Sequence, residues 1–266
     1  MSTSPFPLSL ASLNITIPHT PLIEASYHYA KQHILPATLA HCMRNLVFAF
    51  LLANRLPNVV PEALDTEVLV VSILLHDMGL ANTTIVSNDT RFEVDGANIA
   101  RTFVQGHNSS WDRHRVQLMW DTIALHTINT VSAHKEPEVA LSAMSISADF
   151  FGPYLQLPAG VSTEPGPGQL ITVDEYVEVV RAFPRPNFKE SVIERGCSLC
   201  RRKKETTWDN VMGEWGAMFG LDGNGTGREE FAAEFAVRRN SAPTLLMNLE
   251  RLKPLDDRAA GLAGRS

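Results

Sequence analysis

Cysteine is scarce in this chain, with three residues, Cys42, Cys197 and Cys200, among 266. Three are too few for a disulfide framework and leave one over, which points to a reducing interior and a cytoplasmic protein. Cys197-x-x-Cys200 has a zinc-like spacing, but a structural zinc needs four ligands and no second pair follows. The two therefore read as partly buried thiols near a turn. Basic charge is short as well. Lysine and arginine number 23 against 29 acidic residues, a net charge of −6, which speaks against nucleic-acid and anionic-membrane partners. No apolar run reaches the roughly 18–20 residues that span a bilayer. The run VLVVSILL reads instead as a buried helix segment. The first twenty residues lack the basic start and continuous apolar stretch of a signal peptide, so residues 1–20 are expected to form a mobile arm. The Asn14-Ile15-Thr16 sequon is then accidental.

What is present is a succession of helices. With 44% hydrophobic and 20% charged residues the composition is that of an ordinary globular protein. Segments 21–34, 37–55, 61–78, 95–107, 111–128 and 136–152 carry helical apolar spacing, and prolines open several of them. Asp95 reads as the opening cap of its helix, and Gly79 as a left-handed cap closing the run at 61–78. Nothing before residue 150 signals a sheet. Residues 155–170 read as a proline- and glycine-rich loop, followed by a helix capped by Thr172 or Asp174 and by an amphipathic stretch at 206–220. The expected fold is all-α. One catalytic domain would span 21–220, with a helical C-terminal extension inside it, and 221–266 would be a partly flexible tail.

The chemistry gathers at His76-Asp77, which closes the apolar run. His41 lies upstream on a helix apolar nearly all round, and Asp149 lies downstream near the end of another. Buried histidine and aspartate are costly unless paired. Taken singly, His41 reads as a packed core histidine, and Asp149 could be held by an arginine. Taken together, two imidazoles and two carboxylates suit one divalent cation: zinc first, with iron(II) or manganese as alternatives. Adjacent helical residues point about 100° apart, so His76 and Asp77 reach a common ion only near a helix end.

The order His41, His76-Asp77, Asp149, one on each of separate helices, resembles the HD-domain superfamily of metal-dependent hydrolases, an all-helical bundle. RFEVDGANIAR (91–101), ALHTINTVSAHKEPEVALSAMSISADFFG (124–152) and LCRRKKETTWDN (199–210) narrow the resemblance to the cyanamide hydratase branch, mainly fungal proteins that hydrate cyanamide to urea. The resemblance implies a metal held by His41, His76, Asp77 and Asp149, a small nitrile substrate and a homo-oligomer. Asp77 could also orient the nucleophilic water. His126 is the first candidate for proton transfer, against a packed histidine bonded to a backbone carbonyl. Glu93 is a second catalytic candidate, and Asp95 could bind substrate if it is not a helix cap. His107, His114 and His134 read as solvated, so one metal is expected.

Two rivals remain. A phosphohydrolase acting on nucleotides or phosphate esters needs cations aimed at phosphate oxygens. Arg44, almost one turn after His41, could supply one, or could pair with a nearby acid. Arg101, Arg113 and Arg115 read as solvated faces, and Arg201-Arg202-Lys203-Lys204 as a charged surface. The other rival is a silent domain that binds a metabolite without turning it over.

Overall fold

The computed structural model describes residues 5–56, 64–81, 83–107, 110–156 and 169–259. The protein is all-α: twelve α-helices and one small two-stranded hairpin among the described residues. The chain divides into two compact units, Met1–Arg195 and Gly196–Ser266. This differs from the expected 21–220 domain and its tail. The second unit has its own small core of Cys200, Trp208, Phe231 and Phe235, and the expected tail supplies two of those four residues.

The first unit is built on α2 (Pro36–Arg55), α3 (Thr66–Leu75) and α7 (Pro137–Phe151). In α3 every residue from Val68 to Leu75 is buried, so this helix fills the centre and carries His76 at its end. By length and composition α2 could cross a membrane, but 67% of its apolar window is buried inside the fold. Around these lie α1 (Pro21–His33), α4 (Phe92–Gly106), α5 (Arg113–Ala124), the short α6 (Asn129–Ser132) and α8 (Val173–Ala182). Thr172 caps α8 through a capping box with Glu175, which satisfies two orphan backbone donors at once. Helix α9 (Phe188–Lys203), which had no counterpart in the expected segments, contains both Cys197 and Cys200; all three cysteines are buried and none is in a disulfide. The thiols therefore sit within a helix rather than at a turn. Helices α10 (Val211–Phe219), α11 (Arg228–Arg239) and α12 (Ala242–Ala259) complete the second unit. The expected loop at 155–170 lies largely outside the described residues.

Two local expectations fail for identifiable reasons. In place of a mobile arm, Leu8–Leu10 pairs antiparallel with Ile15–Ile17, and Ile15 and Ile17 are buried in the main core. Alternation over three residues is too short to be read as a strand. Arg115 is not on a solvated face: it donates to Asp65 Oδ2 at 2.7 Å and Glu67 Oε2 at 2.9 Å, and its guanidinium stacks on Trp111. Asp65 is also the N-cap of α3, and Glu67 accepts from Thr20 and Trp111. This network closes α3 against α1 and α5.

Burial opposes ionisation of Asp65 and Glu67, yet the bonds from Arg115 and the other donors hold both carboxyls below their ordinary values of 3.8 and 4.5. Depressed carboxylates add stability above their unfolded-state values and lose it as the pH falls through the folded ones. Both groups are partly exposed, so Arg115→Met should cost about 1 kcal/mol at pH 7. The cost should shrink on acidification below about pH 4. Urea unfolding at pH 7 and pH 3.5 tests this; a deficit that does not change with pH would assign the loss to packing on Trp111.

Candidate metal centre

His76 follows the last residue of α3, and the chain then tightens into a 3₁₀ turn, Met78–Leu80. The His76 ring has one available tautomer. Nδ1 lies 2.8 Å from the Ile73 carbonyl, which can only accept, so Nδ1 carries the hydrogen and Nε2 carries the lone pair. Nε2 is buried and has no hydrogen-bond partner. Burial pushes the imidazole down to about 4, so it is neutral at physiological pH. A buried neutral imidazole with one nitrogen anchored to a carbonyl and the other empty is the state a metal ligand requires.

Asp77 Oδ2 is 3.5 Å from His76 Nε2, beyond a good hydrogen bond. Burial works to raise the Asp77 carboxyl, but His76, His41, His126 and the Arg195 guanidinium hold it below the ordinary value, so it is an anion. Ligand atoms of His41, His76 and Asp77 lie within 4.8 Å of one another, all three residues buried. A cation about 2.1 Å from each would hold them roughly 3–4 Å apart, so the set needs only a small contraction. This group could hold a metal ion.

Asp149, expected as the fourth ligand, is not in that three-residue group and is held by other side chains of the protein. It has no exposure, and its two oxygens are taken by a bidentate pair from Arg44 (Nε and Nη2, both 2.7 Å), by His41 Nδ1 at 2.6 Å and by Arg185 Nη1 at 3.1 Å. Burial would raise its carboxyl, but these donors hold it far below the carboxylate range. Asp149 therefore accepts from the His41 Nδ1 hydrogen and turns Nε2 the other way, the carboxylate–histidine arrangement that orients a metal-binding imidazole. Asn45 Nδ2 donates to that Nε2 at 3.1 Å. Asn45 thus holds the lone pair a cation would take, while its own Oδ1 is buried without a partner.

The other candidates divide. His126 is brought to the centre, its ring centroid 5.0 Å from that of His76. It repeats the His76 tautomer, with Nδ1 donating to Ile123 O at 2.6 Å. Glu93 is fully buried but committed, accepting from Arg91 Nη2 at 3.0 Å and Thr127 Oγ1 at 2.8 Å. Arg44 is not free for substrate: besides Asp149 it donates to the carbonyls of Phe183 and Pro184. Asp95 is neither a helix cap nor a member of the centre. Helix α4 opens three residues earlier, at Phe92, and the Asp95 carboxylate accepts from Ser87. It lines a separate cavity of about 360 Å³ with Tyr29, Asn98 and Thr102.

Sequence reasoning missed Asn45, Arg185 and Arg195. Asn45, at four residues from His41 on one helix, could have been found by spacing; the two arginines lie too far along the chain for any spacing rule. Gly79 was misread. Its φ is not positive. A Cβ there would meet the Phe92 carbonyl oxygen at 1.8 Å, and one at Gly96 would meet the His76 carbonyl oxygen at 2.9 Å. The two glycines let the His76–Gly79 turn lie directly against the first turns of α4. That contact is why LLHDMG and RFEVDGA belong together.

Gly79→Ala should accordingly shift backbone at the turn, destabilise by at least about 2 kcal/mol and weaken metal binding. Gly106→Ala, in the same fold with nothing near its Cβ, should stabilise by about 0.5–1 kcal/mol. Thermal melts of the two variants should move in opposite directions; a Gly79→Ala melt equal to wild type would refute the close-approach account.

No protein-family model matches this chain, and no curated protein matches it significantly.

Proposed function

We propose that the protein is a metal-dependent hydratase of the HD-domain type that adds water to a small nitrile, with cyanamide, converted to urea, the best substrate. The observation that carries this is the empty, buried Nε2 of His76 beside the Asp77 anion and the oriented imidazole of His41. Zinc suits this donor set first, iron(II) or manganese next. A bound ion would supply a water acidified toward about pKa 7.

The chain's own residues cover the rest. Asp77 accepts hydrogen bonds and orients the attacking water. His41 is held by Asp149, and through Arg44 and Arg185 that carboxylate stays ionised and cannot compete for protons. His126, with Nδ1 fixed on Ile123 O, presents Nε2 to accept the proton of the water and return it to the nitrile nitrogen. The oxygen–carbon bond forms as one C≡N π bond breaks; the proton reaching nitrogen gives the isourea, which tautomerises to urea.

Near-complete closure favours a substrate of a few atoms: His41, His76, Asp77 and His126 are all 6% exposed or less. The phosphohydrolase reading calls for several free cations, and Arg44, Arg185 and Arg91 are each paired with a buried carboxylate.

Metal analysis coupled to a urea-release assay tests the reading. About one metal per chain with chelator-sensitive urea formation is expected. His76→Ala should lose both metal and turnover, whereas His126→Ala should keep the metal and slow by about 10²–10⁴-fold. A metal-loaded protein that forms no urea but cleaves phosphate esters would overturn the proposal.

A further inference from the structure

Asn45 lies one helical turn after His41 on α2 and is fully buried. Its Nδ2 donates to His41 Nε2 at 3.1 Å, and its Oδ1 has no hydrogen-bond partner among the described residues. An amide used only as a donor leaves a buried carbonyl oxygen unsatisfied, a loss comparable to that of a hydrogen bond. The donor end is spent as well: it occupies the lone pair that His41 would give to a cation.

The two ends of a carboxamide have nearly the same size and shape. A half-turn about Cβ–Cγ therefore exchanges them without repacking, and brings Oδ1 to the place 3.1 Å from His41 Nε2 that Nδ2 holds. Two donors bound to one ion at about 2.1 Å lie roughly 3–3.5 Å apart. His76 Nε2 and Asp77 Oδ2 stand at a like separation, 3.5 Å, at the end of α3. After the half-turn Nδ2 takes the place where Oδ1 has no partner, so the number of unsatisfied ends does not rise, while Oδ1 and the His41 lone pair both gain the ion. Asp149 does not compete for that position. It lies outside the His41, His76 and Asp77 group, and its oxygens are held by Arg44, Arg185 and the other nitrogen of His41.

We propose that Asn45 is the fourth protein ligand of this centre: its amide turns as the ion enters, and Oδ1 coordinates beside His41 Nε2. This rests on the metal reading of His41, His76 and Asp77 and is independent of the substrate. A neutral amide in this place leaves Asp77 as the single ligand carboxylate, so a divalent ion stays a net cation and keeps its acidifying effect on bound water. Four protein donors and that water make the ion five-coordinate, one more than the tetrahedral centre that three donors and a water would give.

Zinc affinity and the visible spectrum of the cobalt(II)-loaded protein test this without a turnover assay. Asn45→Leu keeps the buried volume and removes the oxygen. It also removes an unsatisfied polar atom, so the metal-free variant should melt close to wild type. Its zinc affinity, measured by competition with a chelator, should fall at least about tenfold, and its cobalt(II) absorption should strengthen as five-coordination drops to four. Asn45→Asp restores an oxygen at the same reach, and should bind zinc within about tenfold of wild type or more tightly, with the weaker five-coordinate spectrum. A smaller loss in Asn45→Leu, or a gain, would make Asn45 a placeholder on the His41 lone pair and overturns the proposal. A full loss with unchanged cobalt(II) intensity assigns positioning rather than ligation and overturns it too. If Asn45→Leu does not fold, Asn45→Asp decides, and affinity below the stated range overturns the proposal. A wild type that takes up neither metal overturns the metal reading and this proposal together, whereas a loaded wild type that forms no urea fails the hydratase reading alone.

Discussion

A carboxylate sealed from water near the C-terminal end of α7 is the constraint around which the first unit is arranged. Asp149 cannot be buried as an anion unless positive or hydrogen-donating groups surround it, and burying it neutral would waste the same donors. Four groups converge on it from three parts of the chain: Arg44 and His41 from α2, the Arg185 side chain from the turn before α9, and through Arg185 the Tyr176 hydroxyl of α8. Removing Arg44 or Arg185 leaves buried charge uncompensated, which is why such clusters are rigid even when their net contribution to stability is small. Rigidity here fixes the orientation of His41. A metal centre gains more from a ligand that is already aimed than from one that must be ordered on binding.

The second ligand pair is positioned by a different device. His76 and Asp77 lie where a helix buried on all sides gives way to a 3₁₀ turn, and that change of geometry lets neighbouring side chains address one point. The turn is pressed against α4 by two contacts that only hydrogen-bearing α-carbons permit, at Gly79 and Gly96. Backbone packing thus does for His76 what side-chain ion pairing does for His41. The two halves of the donor set are independent in mechanism, and a fault in either misplaces one histidine while leaving the other.

Much of this was legible in the chain. Helical periodicity with proline starts gave most of the all-α fold, and the apolar run ending in His76-Asp77 marked the centre, because paired polar groups at the end of such a run need a buried partner. Local rules failed where the decisive neighbour is distant in sequence. Asp149 has the burial and residue type of a ligand, and nothing nearby in the chain tells that Arg185, thirty-six residues on, takes up one of its oxygens. Arg115 reads as a surface charge until Asp65 and Glu67, fifty and forty-eight residues away, are folded onto it. Helix α9 escaped notice because its apolar positions are interrupted by charge, and those charged positions include Arg195.

Arginine pairing also bears on what the centre can accept. A phosphate ester would place two or more negative oxygens beside the metal, each needing its own donors. Arg44 and Arg185 share the Asp149 carboxylate and Arg91 is held by Glu93, so the donors of these three arginines are largely committed within the protein. Additional anionic oxygens would find few uncommitted donors beside His41, His76 and Asp77, which have almost no access to water. Selectivity of this kind arises from withheld partners as much as from offered ones. In this fold Asp149 does both: it orients the His41 imidazole and commits Arg44 and Arg185, which on the hydratase reading removes two cations from the reach of a substrate.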